Sequence, residues 1–253
     1  MDTSTIERTP DPAAARADAP NAASTGRLDL YAGIHKALRL FMSRTLCLIG
    51  STDPDDVNEM ASTLSQLERL LGLCELHLKD ENEFVHPALE RAQPGSAARI
   101  GAEHVHHAEA IADLRDLAGL VSDSRGGARA TAMGRLYREL ASFVADNFQH
   151  MEVEEATHNA VLWAHYSDDE LLAIEQALVA SIPPAAMFEA LHWFLPALNA
   201  PERAAMLAGM RQGMPPEPFL GVLDIAWRTL ALPDQAKLRR ALGLAPVPGP
   251  MTA

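Results

Sequence analysis

The sequence predicts an all-α protein, an up-down four-helix bundle followed by a smaller helical module. Ala and Leu dominate a chain of 253 residues in which hydrophobic residues make up 48% and aromatic residues only 5%. That composition is typical of helices rather than strands. Four long segments carry apolar residues at helical spacing and are joined by short connections. Alternating apolar runs and hairpin turns, which would indicate strands, are missing from the sequence.

The beginning of the chain separates a tail from the first two helices. Residues 1–26 are predicted to be a disordered tail, because they are polar, rich in proline and without periodic apolar residues. The first helix is predicted over about 28–49. Asp53 is then expected to cap the second helix, with Pro54 in its first turn, and this helix runs toward Pro87.

The third and fourth helices complete the predicted bundle. The third follows the turn 93–96, with Ser96 as its expected cap, and ends near Gly127. The fourth spans about 128–163. Because the connections are short, consecutive helices should be antiparallel neighbours, which predicts an up-down bundle over residues 27–166.

Shorter helices follow the bundle. Ser167 and Glu170 have the spacing of a capping box, and frequent prolines divide the chain beyond them into short pieces. We therefore predict a smaller helical module over 167–245, packed on the bundle, and a flexible end over 246–253. The module is also the expected contact surface for a protein partner.

Charge and composition exclude several classes of function. The chain has 21 basic and 34 acidic residues, for a net charge of −13 at pH 7. This charge repels phosphate backbones and anionic membranes, so we expect neither nucleic-acid nor membrane binding. No stretch approaches the roughly 18 apolar residues of a membrane span, and no secretory signal is apparent. The two cysteines, Cys47 and Cys74, suit a reducing compartment, so we expect a cytoplasmic protein.

Two histidine–glutamate pairs share one spacing. His77 precedes Glu81, and His150 precedes Glu154, by four residues. On a helix this spacing brings both side chains of a pair to one point. A nitrogen and an oxygen ligand together suit a first-row transition metal better than Ca²⁺ or Mg²⁺. Two such pairs on separate helices therefore indicate a metal site.

Helix register adds histidines at the same height. Two residues on neighbouring antiparallel helices lie at the same height when the midpoint of their residue numbers falls in the loop that connects the helices. The midpoint of His35 and His77 falls at about position 56, beside the first loop, and that of His104 and His150 at about 127, in the third loop. Burying these imidazoles with two carboxylates and no metal would be costly, which favours a metal site.

Four further histidines receive weaker assignments. His107 lies about 60° around the helix from His104, and we expect it to be a ligand, a support for a ligand or a surface residue. His86 and His106 lie about 180° and 200° from the nearest ligand histidine, so both are expected to face away from the site. For His158 we prefer an ordinary structural role to one beside the metal.

These residues resemble the hemerythrin, or HHE cation-binding, family over about residues 28–165. The residues that carry the resemblance are His35, His77, Glu81, Pro87, His104, His150, Glu154 and Glu155. Membership implies a four-helix bundle with a carboxylate-bridged, non-haem centre of two iron ions. It also implies a reversible interaction with O₂, or a role in handling iron, nitric oxide or peroxide. The expected metal ligands are His35, His77, Glu81, His104, His107, His150 and Glu154.

Two departures from the family pattern leave ligand alternatives open. Many members have a second helix-three histidine four residues after the first, but this chain has Ala108 there, so His107 is the candidate substitute. Many members also have an aspartate five residues after the last histidine. That position is Glu155 here, and we favour Glu154 because it repeats the spacing of Glu81.

Three classes of function follow from the resemblance. We expect first a protein that binds iron and O₂ or another small diatomic ligand, in sensing, carriage or iron and oxidative-stress handling. The alternatives are a di-iron oxidoreductase acting on peroxide or nitric oxide, and an iron reservoir or metal-stabilised interaction module. The sequence shows no motif for proton transfer or for an organic substrate pocket, which favours a binding protein over an enzyme.

Overall fold

The computed structural model describes residues 26–245, and this range contains helices and connecting turns without a strand. The helices are α1 (Ala32–Ser51), α2 (Val57–Asp80), α3 (His86–Ala92), α4 (Ala98–Asp123), α5 (Gly126–Val153), α6 (Asn159–His165), α7 (Asp168–Ser181), α8 (Pro184–Ala197), α9 (Ala200–Gly213), α10 (Pro216–Thr229) and α11 (Leu232–Ala241). The predicted all-α class is confirmed.

Four long helices form the bundle. Helix α1 packs against α2 and α5, and α4 packs against the same two helices. Each long helix thus lies between two neighbours around a shared core. One fully buried side chain from each helix contributes to that core: Phe41, Leu67, Ile111 and Leu136. The predicted up-down bundle is confirmed.

Two predicted helix caps are wrong. The Asp53 carboxylate accepts from the Asp55 N–H in the turn before the helix, and α2 begins only at Val57, so neither Asp53 nor Pro54 belongs to its start. Asp56 instead caps α2, accepting from two N–H groups of the first turn. Ser96 does not cap α4 either, because its hydroxyl donates to the Leu89 carbonyl.

Two π-helical turns interrupt the long helices at the predicted ligand residues. One spans Glu81–Val85 between α2 and α3, and the other spans Glu154–His158 between α5 and α6. A π turn contains about one residue more than an α turn, so later side chains are rotated by about 100° relative to a continuous α-helix. Such turns are frequent at functional sites.

Helices α8 to α11 surround a second apolar core, whereas Leu171 of α7 packs in a separate cluster with Leu89 and Leu162. Leu195, Leu207 and Val222, from α8, α9 and α10, are completely buried in it. The predicted capping box at the start of α7 is confirmed, because Ser167 and Glu170 each accept from the other's backbone N–H.

These C-terminal helices pack against α1 of the bundle. Trp193 of α8 stacks on Phe41 of α1, with ring centroids 3.6 Å apart and planes 10° apart. Lys36 Nζ of α1 lies 2.6 Å from Glu202 Oε1 of α9. The division of the chain into a bundle and a separate module stays a prediction. Apart from Gly26, the predicted tail and the predicted flexible end lie outside the described residues.

Within residues 26–245, no single helix combines the length and the apolar character needed to cross a membrane. The pair α7 and α8, bent by 116°, meets the test jointly by length and composition alone.

Candidate metal centre

The two predicted histidine–glutamate pairs come together inside the bundle. His77 Nε2 lies 3.4 Å from Glu81 Oε1, and His150 Nε2 lies 3.2 Å from Glu154 Oε1. Glu81 is 3% exposed and Glu154 is completely buried. His77 lies in α2 and His150 in α5, and each glutamate is the first residue of the π turn that follows the helix. Both pairs face the bundle interior.

Each carboxylate divides its two oxygens between two groups of histidines. His35 Nε2 lies 3.9 Å from Glu81 Oε1 and 3.3 Å from Glu154 Oε2. His104 Nε2 lies 3.3 Å from Glu81 Oε2 and 3.8 Å from Glu154 Oε1. Each of the two carboxylates therefore lies between His35 and His104.

The side chains form two four-membered groups that could each hold a metal ion. The first contains His35, His77, Glu81 and Glu154, and the second contains Glu81, His104, His150 and Glu154. Within each group the candidate ligand atoms lie within 4.8 Å of one another. Six of the seven predicted ligands are therefore brought together.

Buried polar atoms without partners show that these residues fit a metal. Among the described residues, none makes a hydrogen bond to either carboxylate oxygen of Glu81 or Glu154, or to Nε2 of His35 or His77. Buried polar groups are normally hydrogen-bonded, because leaving them unpaired costs free energy. A cation at the centre of each group would satisfy these atoms.

Ionisation in the metal-free protein reflects the same need for positive charge. Burial alone would raise the pKa of Glu81, but the surrounding imidazoles, His77 first, lower it to about 2. Burial likewise opposes the protonation of His35, yet the nearby carboxylates of Glu154, Glu155 and Glu81 raise its pKa to about 10. Protons on the imidazoles thus supply the charge that a metal would bring.

Outer hydrogen bonds orient three of the imidazoles. His35 Nδ1 donates to Glu155 Oε1, and His150 Nδ1 donates to Glu103 Oε2, each at 2.9 Å. His104 Nδ1 donates to Asn82 Oδ1, also at 2.9 Å. Because these carboxylate and amide oxygens can only accept, Nδ1 of each ring carries a proton and Nε2 faces the centre, where a metal ion would take the place of any proton on Nε2. Metal-binding histidines characteristically have such partners.

The choice between Glu154 and Glu155 is explained by this geometry. Glu154 faces the imidazoles, whereas Glu155 lies outside them and holds His35. Arg39 Nη1 donates to the same Glu155 oxygen at 2.5 Å and fixes its position. In the sequence Glu155 is a candidate only as a ligand, and the positions of Glu103 and Asn82 carry no signal of their role.

His107 is placed apart from the two groups. Its ring centroid lies 4.6 Å from that of His150 and 6.0 Å from that of Phe143. It belongs to neither group of candidate ligands, and no described residue makes a hydrogen bond to its Nδ1. Burial lowers the pKa of His107 to about 4, so the ring is neutral. Ligation by His107 stays a prediction.

The prediction that His86 faces away from the centre is wrong. His86 is 8% exposed and stacks on His104, with ring centroids 4.8 Å apart. The π turn between α2 and α3 supplies the reason, because its extra residue rotates His86 back toward the bundle interior. The spacing of nine residues between His77 and His86 in the sequence gives no sign of that turn. His106, in contrast, is exposed as predicted.

His158 also lies beside the centre rather than in an ordinary structural position. It is 1% exposed, and its Nδ1 lies 3.1 Å from the hydroxyl of Tyr31. With His86 and Glu154 it forms a third group of ligand atoms within 4.8 Å of one another. The signal for this position in the sequence is the spacing of four residues between Glu154 and His158, which places both on a similar face of the helix.

Comparison with known proteins agrees with this site. The hemerythrin HHE cation-binding domain family matches residues 27–159, which cover the whole ligand set and more than half of the chain. A comparison with curated proteins and one with solved structures gave no significant match. The bundle, the two histidine–glutamate pairs and this match agree: the chain belongs to the hemerythrin HHE cation-binding domain family.

Proposed function

We propose that the chain binds two iron ions in a non-haem, carboxylate-bridged centre and uses them to bind O₂ or another small diatomic ligand. The observation that carries this proposal is the division of the Glu81 and Glu154 oxygens between two sets of imidazoles. Two shared carboxylates suit two cations held close together. Imidazole and carboxylate ligands suit a first-row transition metal, and membership of this family favours iron.

The residues of this chain would prepare the site before the metal arrives. Glu155, Asn82 and Glu103 hold three imidazoles with their Nε2 atoms directed inward. Complete burial of His35 and Glu154 excludes water from the ligand atoms. When bound, the two irons would supply the electrons that reversible binding of a small ligand requires.

Sensing is the role that the contacts of α1 support. This helix carries His35 and also Phe41, on which Trp193 of the C-terminal helices stacks. A change at the centre that shifts α1 would therefore reach α8 directly. We propose that the C-terminal helices report the state of the centre to a protein partner.

A second candidate function, turnover of peroxide or nitric oxide, is favoured by the buried groups beside Glu154. Tyr31, His158 and His86 place hydroxyl and imidazole groups next to the centre. These are groups that can hold and move protons, which the reduction of peroxide to water by an added electron donor needs. Steady consumption of peroxide by the iron-loaded chain, slowed about tenfold or more in Tyr31→Phe and His158→Gln, would favour this candidate.

Metal analysis of anaerobically purified protein tests the main proposal. The wild-type chain should contain near two irons and show absorption bands that change reversibly with oxygen, without consuming peroxide. His77→Ala and His150→Ala should each lose metal, because each removes a ligand from one group. His106→Ala, which removes an exposed histidine of α4, is the matched control. Wild-type metal content in both ligand variants would contradict the assignment.

A further inference from the structure

A cavity of about 320 Å³ lies between the bundle and the C-terminal helices. Its walls come from α1, α2, α7, α8 and α9 and are mostly apolar, with side chains that include Ile34, Leu73, Leu178, Leu191, Phe194 and Met206. Protein interiors are close-packed and contain few voids larger than a water molecule, because empty space costs stability. A partly enclosed apolar cavity of this size therefore indicates a bound molecule.

The size of the cavity indicates a small organic molecule rather than a diatomic one. Pockets for small organic molecules begin at about 300 Å³ and are predominantly apolar, with a few polar groups. At about 30 Å³ for each water-sized group, the cavity holds about ten non-hydrogen atoms. A diatomic ligand of the metal centre would fill only a small part of this space.

Groups of both charge signs border the cavity. His77 and Glu81 of the metal centre form one edge, so the proposed iron ions would place positive charge there. The carboxylates of Asp29 and Glu175 lie on other walls, and neither lysine nor arginine is among the described residues of the lining. A cationic ligand would meet the metal ions and an anionic ligand would meet the carboxylates, and contact between like charges is costly in a partly desolvated site. The lining therefore favours a neutral molecule.

Glu175 of α7 is the polar side chain of the lining that is available to a neutral ligand. Asp29 accepts from two backbone N–H groups at the start of α1, and the Tyr31 hydroxyl contacts His158. The Oδ1 atom of Asp80 is buried and does not reach the cavity. Glu175 is half-buried, and burial raises its pKa without a described group that offsets the effect. A carboxyl group keeps an acceptor oxygen in either protonation state, so Glu175 can accept from a hydroxyl group of the ligand.

We propose that this cavity binds a neutral aliphatic alcohol, with its chain against the apolar walls and its hydroxyl group donating to Glu175. The bound molecule contacts Ile34 of α1, which precedes the predicted metal ligand His35, and Phe194 of α8. It therefore connects a helix of the metal centre with the C-terminal helices. The protein alone forms the walls of the cavity, so binding of the alcohol does not require the metal.

Calorimetric titration of the full chain with four probes that share an octyl chain tests this proposal. Octanol is neutral and can donate a hydrogen bond, octyl methyl ether is neutral and cannot donate, and octylamine and octanoate are charged. We expect one octanol per chain, bound at least about tenfold more tightly than either charged probe and several-fold more tightly than the ether. The titration is performed on both metal-free and metal-loaded protein, so that failure to bind metal does not obscure the result.

Variants distinguish the cavity from unspecific surface binding. Leu178→Trp should fill the cavity and weaken octanol binding at least about tenfold. Leu220→Trp, the same substitution at an exposed position of α10, should bind octanol as wild type does. Glu175→Leu should remove the difference in affinity between octanol and the ether, and Glu217→Leu, at another exposed position of α10, should preserve it. Thermal unfolding and metal content of each variant show whether the fold is kept.

Three outcomes would overturn the proposal. The first is binding of octylamine or octanoate as tightly as octanol, and the second is failure of all four probes to bind. The third is wild-type binding of octanol by a folded Leu178→Trp variant. Equal affinity of the wild-type chain for octanol and the ether would overturn the hydrogen bond to Glu175.

Discussion

Glu81 and Glu154 come from different helices, yet each directs one oxygen toward His35 and the other toward His104. In the proposed centre, neither carboxylate would therefore belong to one metal position alone. The two positions would then depend on each other, and the predictions for metal content follow from this dependence.

Glu154→Gln should remove metal from both positions rather than from one. The amide keeps the size of the side chain but has one oxygen and no negative charge, so it cannot bridge two cations. Metal content per chain, measured by atomic emission after gel filtration, should fall toward zero. Glu139→Gln, at an exposed position of the same helix, should retain wild-type content. Loss of only half of the metal from Glu154→Gln would argue against bridging.

Glu155→Ala should weaken metal binding without removing a ligand. The variant frees His35 Nδ1 and leaves Arg39 without its acceptor. Loss of such an outer partner typically costs about 10–100-fold in metal affinity. Competition with a chromophoric chelator measures this affinity, and Arg44→Ala, at an exposed position of α1, is the control. An unchanged affinity would mean that His35 does not depend on Glu155 for its orientation.

Removal of the metal should lower thermal stability. The folded chain holds the ligands together, whereas the unfolded chain does not, so binding stabilises the folded state. At a free metal concentration of about 1,000 Kd the gain is about 4 kcal/mol, which corresponds to a shift in Tm of about 10 °C for a chain of this size. Scanning calorimetry before and after chelation measures the shift. Equal Tm values for loaded and metal-free protein would be inconsistent with ligation inside the bundle core.

Trp193→Ala should destabilise the contact between the C-terminal helices and the bundle. Trp193 is 9% exposed and stacks on Phe41, which is completely buried. Loss of a buried aromatic side chain costs about 3–5 kcal/mol. Chemical unfolding of Trp193→Ala, Phe41→Ala and the double variant should give a coupling free energy of about 0.5–1.5 kcal/mol from the stacked rings. Strict additivity of the two substitutions would contradict a direct contact.

The sequence was sufficient for those parts of the fold that depend on local periodicity. The four long helices follow from apolar spacing and the short loops between them, and level histidines follow from the antiparallel arrangement. His35, His77, His104 and His150 could be placed at one height because α-helical rise and rotation are regular.

The rest depends on departures from that regularity and on tertiary contacts. The π turn before His86 changes the face that this residue presents, and no pattern in the sequence marks such a turn. Asn82 and Glu103 hold imidazoles on other helices, so their role exists only in the folded chain. Glu175 of α7 and Phe194 of α8 line one cavity between the bundle and the C-terminal helices, a relationship that no local pattern in the sequence could show.

Anomalous diffraction at the iron edge, from crystals of the iron-loaded chain, tests the central claim most directly. Two peaks are predicted in each chain, one beside His35 and His77 and the other beside His104 and His150, with Glu81 and Glu154 contacting both. A single peak, or peaks that neither carboxylate reaches, would contradict a centre built on two shared carboxylates.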